Sequence, residues 1–488
     1  MRKAFKMQRS IGSIDIGQVE FDEKCRHEII PILKGLQWIY IQPRFLKKIV
    51  DLIEDDIIGD QSKRHGAPGL DYWEILVLAS IRHGCDLDYD ALQDLANNHM
   101  KLRQMLGLGQ MDIKRYTRST LQQNIAKISD ETIEKISQLI VDEGHTLCPD
   151  AIEKVRGDSF VTKTDIHHPT EANLIIDGVR KMMDFAVKLA SLLSIFGWSL
   201  QGDYWSRAKK ISRKIQKVAA SKKANRDEKL QELHFELIEL ALQITIKYED
   251  IISAAKQIVR GNLSIDSLLV SSLILELEKC IEFTRKVCDL AQRRVVLGEK
   301  IPNEEKIFSL FEPHTELINR GKMPYPIEFG HRVLVVQDKA GFILKSYVMD
   351  HTTDEKVIVP IMKELQDRYE GKIKSASFDK GFYTPNNLIE LGKIIPSLCL
   401  PKKGKLKEED KEREGAPEFG TARKWHPGIE SAIHALGVGN GLALCRDKKE
   451  IGYRRYVAFG ALGRNIQVLG TILIRKANQN HKHRAKAA

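Results

Sequence analysis

The feature that most constrains this chain is an interrupted strand pattern. Polar and apolar residues alternate along Lys154-Val-Arg-Gly-Asp-Ser-Phe-Val-Thr162, the period of a strand. Residues 174–298 then carry apolar stripes such as Phe235-Glu-Leu-Ile-Glu-Leu-Ala241 at helical spacing, with few prolines. Alternation returns at His331-Arg-Val-Leu-Val-Val-Gln337 and Phe342-Ile-Leu-Lys-Ser-Tyr-Val348, with the hairpin-turn composition Asp338-Lys-Ala-Gly341 between them. A segment of that length is no loop. The chain is therefore read as α/β, with a long helical insertion between its first strand and the rest of its sheet. A helix over residues 355–369, a further strand over Lys372-Ile-Lys-Ser-Ala-Ser-Phe-Asp379, a mobile mixed-charge loop over 402–420, and two helices from about Pro427 and Tyr453 complete the pattern.

Ahead of the first strand, about 150 residues read as helical. Apolar positions recur in Ile29-Ile-Pro-Ile-Leu33 and Phe45-Leu-Lys-Lys-Ile-Val50, Ser62-Lys-Arg-His-Gly-Ala-Pro-Gly69 breaks the pattern, and a second helical group starts at Asp71. Ser119-Thr120 is the expected N-cap of the last of these helices. Short helices joined by Lys114-Arg115-Tyr116-Thr117-Arg118 suit a helix-turn-helix DNA reader and a plain helical bundle equally. The expected organisation is a helical N-terminal region over 1–150, a sheet domain from 151–180 and 301–475, a helical insertion over 181–300, and a basic tail over 476–488.

Composition narrows the partners. The 488 residues hold 77 Lys and Arg against 66 acids, a formal charge of +11, which favours polyanions. Seven scattered cysteines, none in a Cys-x-x-Cys pair, argue against a disulfide framework and a zinc ribbon. No run of about eighteen apolar residues and no leader-like N-terminus is read, so a cytoplasmic protein with no membrane partner is expected. The cations of the insertion concentrate in Trp205-Ser-Arg-Ala-Lys-Lys-Ile-Ser-Arg-Lys-Ile-Gln-Lys-Val218, where Arg213, Lys214 and Lys217 form either a solvated face or a phosphate-gripping one.

Three acids occupy positions suited to chemistry: Asp158 in the first strand, Asp379 at the end of a later strand, and Glu430 four residues beyond His426 in a helix. Carboxylates converging from two strands and a helix suit one or two hard divalent cations, which phosphodiester chemistry uses. Among 66 acids, chance triples are plentiful.

Three blocks resemble bacterial insertion-sequence transposases of the DDE type. Gly157-Asp-Ser-Phe-Val-Thr-Lys-Thr-Asp-Ile-His-His-Pro-Thr170 is similar to the family's first catalytic strand and the segment after it. Ser377-Phe-Asp-Lys-Gly-Phe-Tyr383 is similar to the Asp-Lys-Gly-Tyr of its second aspartate. His426-Pro-Gly-Ile-Glu-Ser-Ala-Ile-His434, continued by Gly452-Tyr-Arg-Arg-Tyr456 and Leu462-Gly-Arg-Asn465, resembles the glutamate-bearing helix and the helix that follows. Weaker likeness at residues 309–316 and 329–332 brings the coverage to about a third of the chain. The resemblance implies an RNase H-like mixed sheet flanked by helices, Asp158, Asp379 and Glu430 as ligands of two Mg²⁺ or Mn²⁺ ions, and double-stranded DNA as partner, both element ends and target. Holding two ends together implies a homo-oligomer on DNA. A nuclease that cuts without joining, or a catalytically silent DNA-binding relative, are the other readings.

The sequence departs from the family where a tyrosine and an arginine precede the glutamate and a lysine follows it by seven positions. Arg423, His426 and Gly437 stand there, so a cation near the scissile phosphate falls to Arg423, Lys424 or His426. His167 and His168, beside Pro169, are expected to fix a loop rather than bind metal. His314 and Glu316 either position a phosphate or pin a turn, and Trp425 is expected to be a core anchor.

Overall fold

Val333-Leu-Val-Val336 is an unbroken apolar run, and a strand of that kind needs cover on both faces. The computed structural model shows how that cover is supplied; it describes residues 14–59, 69–193, 201–259, 265–321 and 326–487. The break at Ser62 to Gly69 lies outside these, apart from its last residue. The protein is mixed α/β, 64% helical, with a mixed seven-stranded sheet. The strands are β1 (Lys154–Thr164), β2 (Glu316–Asn319), β3 (Ile327–Asp338), β4 (Ile343–Met349), β5 (Ser375–Ser377), β6 (Ser397–Cys399) and β7 (Leu444–Cys445).

β1 lies inside the sheet. It runs antiparallel to β3, with Asp158 opposite Val335, and parallel to β5 on its other side, with Arg156 opposite Ser377. β3 pairs antiparallel with β4, and β5 pairs parallel with β6. The hairpin expected at 338–341 is held by Asp338, whose Oδ1 accepts from the backbone N–H groups of Gly341 (2.8 Å) and Phe342 (2.9 Å). The short strands β2, β6 and β7 have too few residues for alternation to show, and the sequence pattern does not mark them.

The chain divides into two compact units, residues 1–165 with 318–488, and residues 166–317. In the first, seven helices precede the sheet: α1 (Ile29–Tyr40), α2 (Pro43–Ile58), α3 (Tyr72–Gly84), α4 (Tyr89–Asn98), α5 (Met100–Met105), α6 (Arg118–Ile125) and α7 (Asp130–Leu147). They share one core with the face of β3 that carries Leu334 and Val336, so the N-terminal helices and the sheet are not separate bodies. Thr117, not Ser119 or Thr120, caps α6, its side chain accepting from the Thr120 N–H at 3.2 Å.

The second unit holds α8 (Glu171–Leu192), α9 (Gln201–Ala219), α10 (Arg226–Val259) and α11 (Ile265–Ala291) around its own apolar core. Residues 181–300, expected as a helical insertion, fall inside this unit, which runs from Ile166 to Leu317.

Back in the first unit come α12 (Asp354–Arg368), α13 (Pro385–Ile394), α14 (Glu408–Gly415), α15 (Pro417–Trp425), α16 (Gly428–His434) and α17 (Lys449–Ala487). The segment 402–420, expected to be a mobile loop, instead carries α14 and the start of α15. Its charges pair locally: Lys402 with Asp410, and Arg413 with Glu414 at 3.2 Å, while Pro417 opens α15. The tail expected from 476 is the last part of α17, and Lys476 Nζ donates to the Leu147 carbonyl at 2.7 Å. Among the described residues α17 alone is long and apolar enough to cross a membrane, and 67% of its apolar window is buried within the fold. The other sheet face, with Val333 and Val335, packs on Phe160, Ile429, Ala432, Tyr453 and Val457.

A candidate carboxylate site at the ends of the parallel strands

Parallel strands place equivalent positions side by side, and Arg156 pairs with Ser377. Two residues further along from each stand Asp158 and Asp379. The register thus carries both aspartates to the carboxyl ends of the β1–β5 pair, where open α/β sheets collect functional groups. Alternation along β1 turns Arg156, Asp158 and Phe160 to one face, the face on which Ile429 and Ala432 of α16 pack.

Asp158 accepts the Ser159 backbone N–H on Oδ1 at 2.7 Å. Burial pushes its carboxyl up to about 6, and the charges of Asp379 and Asp354 add to the rise. Asp379 caps the single turn that follows β5, its Oδ1 accepting from the Gly381 N–H at 2.7 Å. Asp354, the first residue of α12, is an acid the sequence reading passed over. Burial raises its carboxyl, Asp379 and Glu355 raise it further, and the Ser159 hydroxyl and Arg332 hold it down. Its Oδ1 is buried and accepts no hydrogen bond. The available signal was position: Asp354 opens the helix after a strand, as Asp379 opens a turn after one.

Glu430 lies in the first turn of α16 and is exposed. The helix starts close to β1 because Gly428 has no side chain there: a Cβ would meet Arg156 Nη1 at 1.9 Å. Arg156 spans this corner. Its Nε and Nη2 donate to Gln337 Oε1 at 2.9 and 2.7 Å, its Nη1 donates to the Trp425 carbonyl at 3.1 Å, and its guanidinium lies 4.5 Å from the Trp425 ring centroid. Lys154 Nζ lies 4.6 Å from the same ring, so Trp425, expected as a core anchor, is instead a half-buried ring between two cations and belongs to none of the apolar cores.

His426 pairs through Nδ1 with Ser377 Oγ at 3.0 Å. Burial lowers its pKa, with Asp379 and Glu430 working against the fall. His426 is half-buried, and its bond to Ser377 ties the end of α15 to β5. Arg423 is exposed and stands 4.0 Å from Glu414. Gly437 has no cation to offer.

Asp158 and Asp379 are brought together, and Glu430 shares their surroundings through His426. The oxygens of the three do not all lie within 4.8 Å of one another. Among the described residues one group meets that criterion and could hold a metal ion: Glu316 in β2, His331 in β3 and Asp350 just past β4. There Asp350 also pairs with Arg454, which already offsets its charge.

The other expected residues divide by environment. Arg213, Lys214 and Lys217 are exposed on α9, whose Ala208, Ile211, Ser212 and Ile215 are buried. Lys114 is drawn into the fold, pairing with buried Glu74, which also accepts from Tyr116 Oη at 2.8 Å. Arg115 is exposed and donates to the Asn97 carbonyl. His167 bonds Asp177 at 2.6 Å and the His168 carbonyl accepts from Asn173, so this pair fixes the entry to α8. His314 pairs with Glu312 at 3.1 Å, which pins the turn.

No family model, no curated protein and no solved structure matches this chain.

Proposed function

We propose that the chain is a DDE-type transposase with an RNase H-like catalytic sheet, acting on double-stranded DNA at the ends of its own mobile element. The observation that carries this reading is the register of β1 against β5, which sets Asp158 beside Asp379, the two aspartates of the motif blocks. Strand order gives further support: β4, β3, β1, β5 and β6 lie in sequence, with β1 antiparallel to β3 and parallel to β5.

The donor set fits hard divalent cations. Carboxylates held near one another against burial, one with an unpaired buried oxygen, form an environment that Mg²⁺ or Mn²⁺ neutralises. Asp158, Asp379 and Glu430 would hold the metal, which supplies activation of water or a 3′-hydroxyl and stabilisation of the leaving oxygen during in-line displacement. The protein's own part is to fix Asp158 by the Ser159 N–H, to fix Asp379 by the Gly381 N–H, and to hold the end of α15, from which α16 starts, on β1 through Arg156 and on β5 through His426. The exposed cations of α9 would meet the phosphate backbone, and the α3 to α6 region the element ends; two ends held together require at least a dimer on DNA.

The test is a cleavage and strand-transfer assay on DNA ends flanking the coding region, comparing wild type with Asp379→Asn in Mg²⁺ and in chelator. Metal-dependent nicking and joining, lost in the variant, is expected. Nicking without joining points to a nuclease, and binding without cutting to a catalytically silent relative.

A further inference from the structure

We infer that the loop between α5 and α6 is a DNA wedge, whose tip residues Met111 and Ile113 insert between base pairs from the minor groove of a duplex. The inference rests on the double-stranded DNA reading above.

Among the described residues, Ile113 and Met111 are the two most exposed large apolar side chains, at 92% and 83%. One exposed apolar residue is ordinary, but two on a single loop tip form a feature that water disfavours and a partner relieves. The tip is firmly held. At its base the chain turns at Gly107, with φ +71, and Leu108 is buried. Arg103 of α5 reaches across the loop: Nη2 donates to the Asp112 carbonyl at 2.7 Å and Nη1 to the Lys114 carbonyl at 3.2 Å. Asp112, between the two apolar residues, accepts the Lys114 N–H on Oδ1 at 3.1 Å. The far side is pinned to α4, where Asn97 accepts the Tyr116 N–H at 2.8 Å and donates to the Tyr116 carbonyl at 2.9 Å. The two side chains are thus held out on a backbone fixed on both sides, which leaves little ordering for a partner to impose.

Charge selects the partner. From Arg103 to Arg118 the chain carries four cations, Arg103, Lys114, Arg115 and Arg118, against one acid, Asp112, a net charge of +3. Lys114 pairs with buried Glu74, and Arg118 Nε stands 3.5 Å from Asp90 Oδ1. Arg103 and Arg115 donate to backbone carbonyls, which leave their positive charge in place. An apolar tip flanked by cations fits a duplex, where phosphates border a stack of apolar base faces. Ile and Met are among the side chains that open base steps from the minor groove, and Gln110, exposed next to Met111, offers an amide to the base edges there.

The test uses the full-length protein and duplexes tiled across the DNA flanking the coding region, with 2-aminopurine placed at successive positions. In the wild-type complex the probe should brighten at one or two neighbouring positions as its stacking is broken. The double variant Met111→Ser/Ile113→Ser should lose that brightening and bind about tenfold more weakly, with the slope of log affinity against log salt unchanged because no charge is removed. Both positions are exposed, so its melting temperature without DNA should equal that of wild type; Met111→Gln/Ile113→Gln is the second pair should the first fail to fold. Arg115→Gln should do the reverse, keeping the brightening and flattening the slope by about 1. A double variant with wild-type affinity and brightening overturns the inference and leaves the DNA reading intact. So does wild-type binding with no brightening at any position, or a double variant whose only change is a lower mass by light scattering, which makes the tip a contact between copies. Absence of binding to any tiled duplex by wild type overturns the DNA reading and this inference with it.

Discussion

Replacing Asp158 by asparagine should stabilise the metal-free protein, and the size of the gain follows from the site. The carboxyl is displaced from its ordinary 3.8 to about 6, first by burial and then by Asp379 and Asp354. That displacement corresponds to about 3 kcal/mol between the two protonation states. Because the folded value lies above the unfolded one, the folded state favours the protonated acid. The penalty is absent below pH 3.8, grows as pH rises toward 6, and is fully present above it. The side-chain amide of the variant would keep an oxygen for the Ser159 N–H, which now donates at 2.7 Å, so the charge is removed with little loss of contact. A gain of about 2–3 kcal/mol is expected at pH 8 in chelator, falling to about half by pH 5 and to a few tenths by pH 4. Scanning calorimetry of both proteins across these pH values gives the comparison, and the transition of the unit containing the sheet should move up by several degrees at pH 8. Saturating Mg²⁺ should narrow or reverse the ranking, since a ligand that binds only the folded wild type stabilises it by mass action. A variant less stable than wild type at pH 8 in chelator, or a gain independent of pH, would refute the reasoning.

Neutralising Arg213, Lys214 and Lys217 together should weaken DNA binding and flatten the slope of log affinity against log salt by about 2–3, as measured by fluorescence anisotropy over a salt series; an unchanged slope means that this face of α9 is only solvated. Gly470→Ala should destabilise the protein by about 2 kcal/mol or more in urea unfolding, because its Cβ would lie 1.8 Å from the Pro31 carbonyl oxygen where α17 crosses α1; wild-type stability would show that the crossing relaxes freely. Arg82→Met should cost about 3 kcal/mol, since the guanidinium is 1% exposed and holds Asp447 at 2.7 Å, and its loss leaves that carboxylate with Arg455 at 3.7 Å as its cation among the described residues; a neutral effect in thermal unfolding would mean that Arg455 takes over the pairing.

Local pattern carried much of this protein. Alternation marked β1, β3 and β4, and helical spacing marked α8 to α11, because periodicity is written into consecutive residues. The Asp338 turn was equally legible, since Asp and Gly close such hairpins by contacts within four residues. Where contacts are distant the pattern fell silent. Residues 402–420 have the composition of a loop, yet Lys402 and Arg413 find acids within the segment and α14 and α15 form. Lys114 reads as a free cation until folding brings up buried Glu74 from forty positions away.

The candidate site divides along the same line. Sequence determined which acids carry the motif blocks, and that Asp158 stands in a strand and Asp379 at the end of one. Only the tertiary structure decided that they are neighbours, because the parallel pairing of Arg156 with Ser377 joins residues more than two hundred positions apart. It also decided that His426 is half-buried and bonded to Ser377, that Glu430 is exposed while Asp354 is not, and that Asp354 Oδ1 is left without a partner. Burial and unmet hydrogen bonds are properties of what surrounds an atom, and in a sheet those surroundings come from strands and helices that the local sequence does not contain.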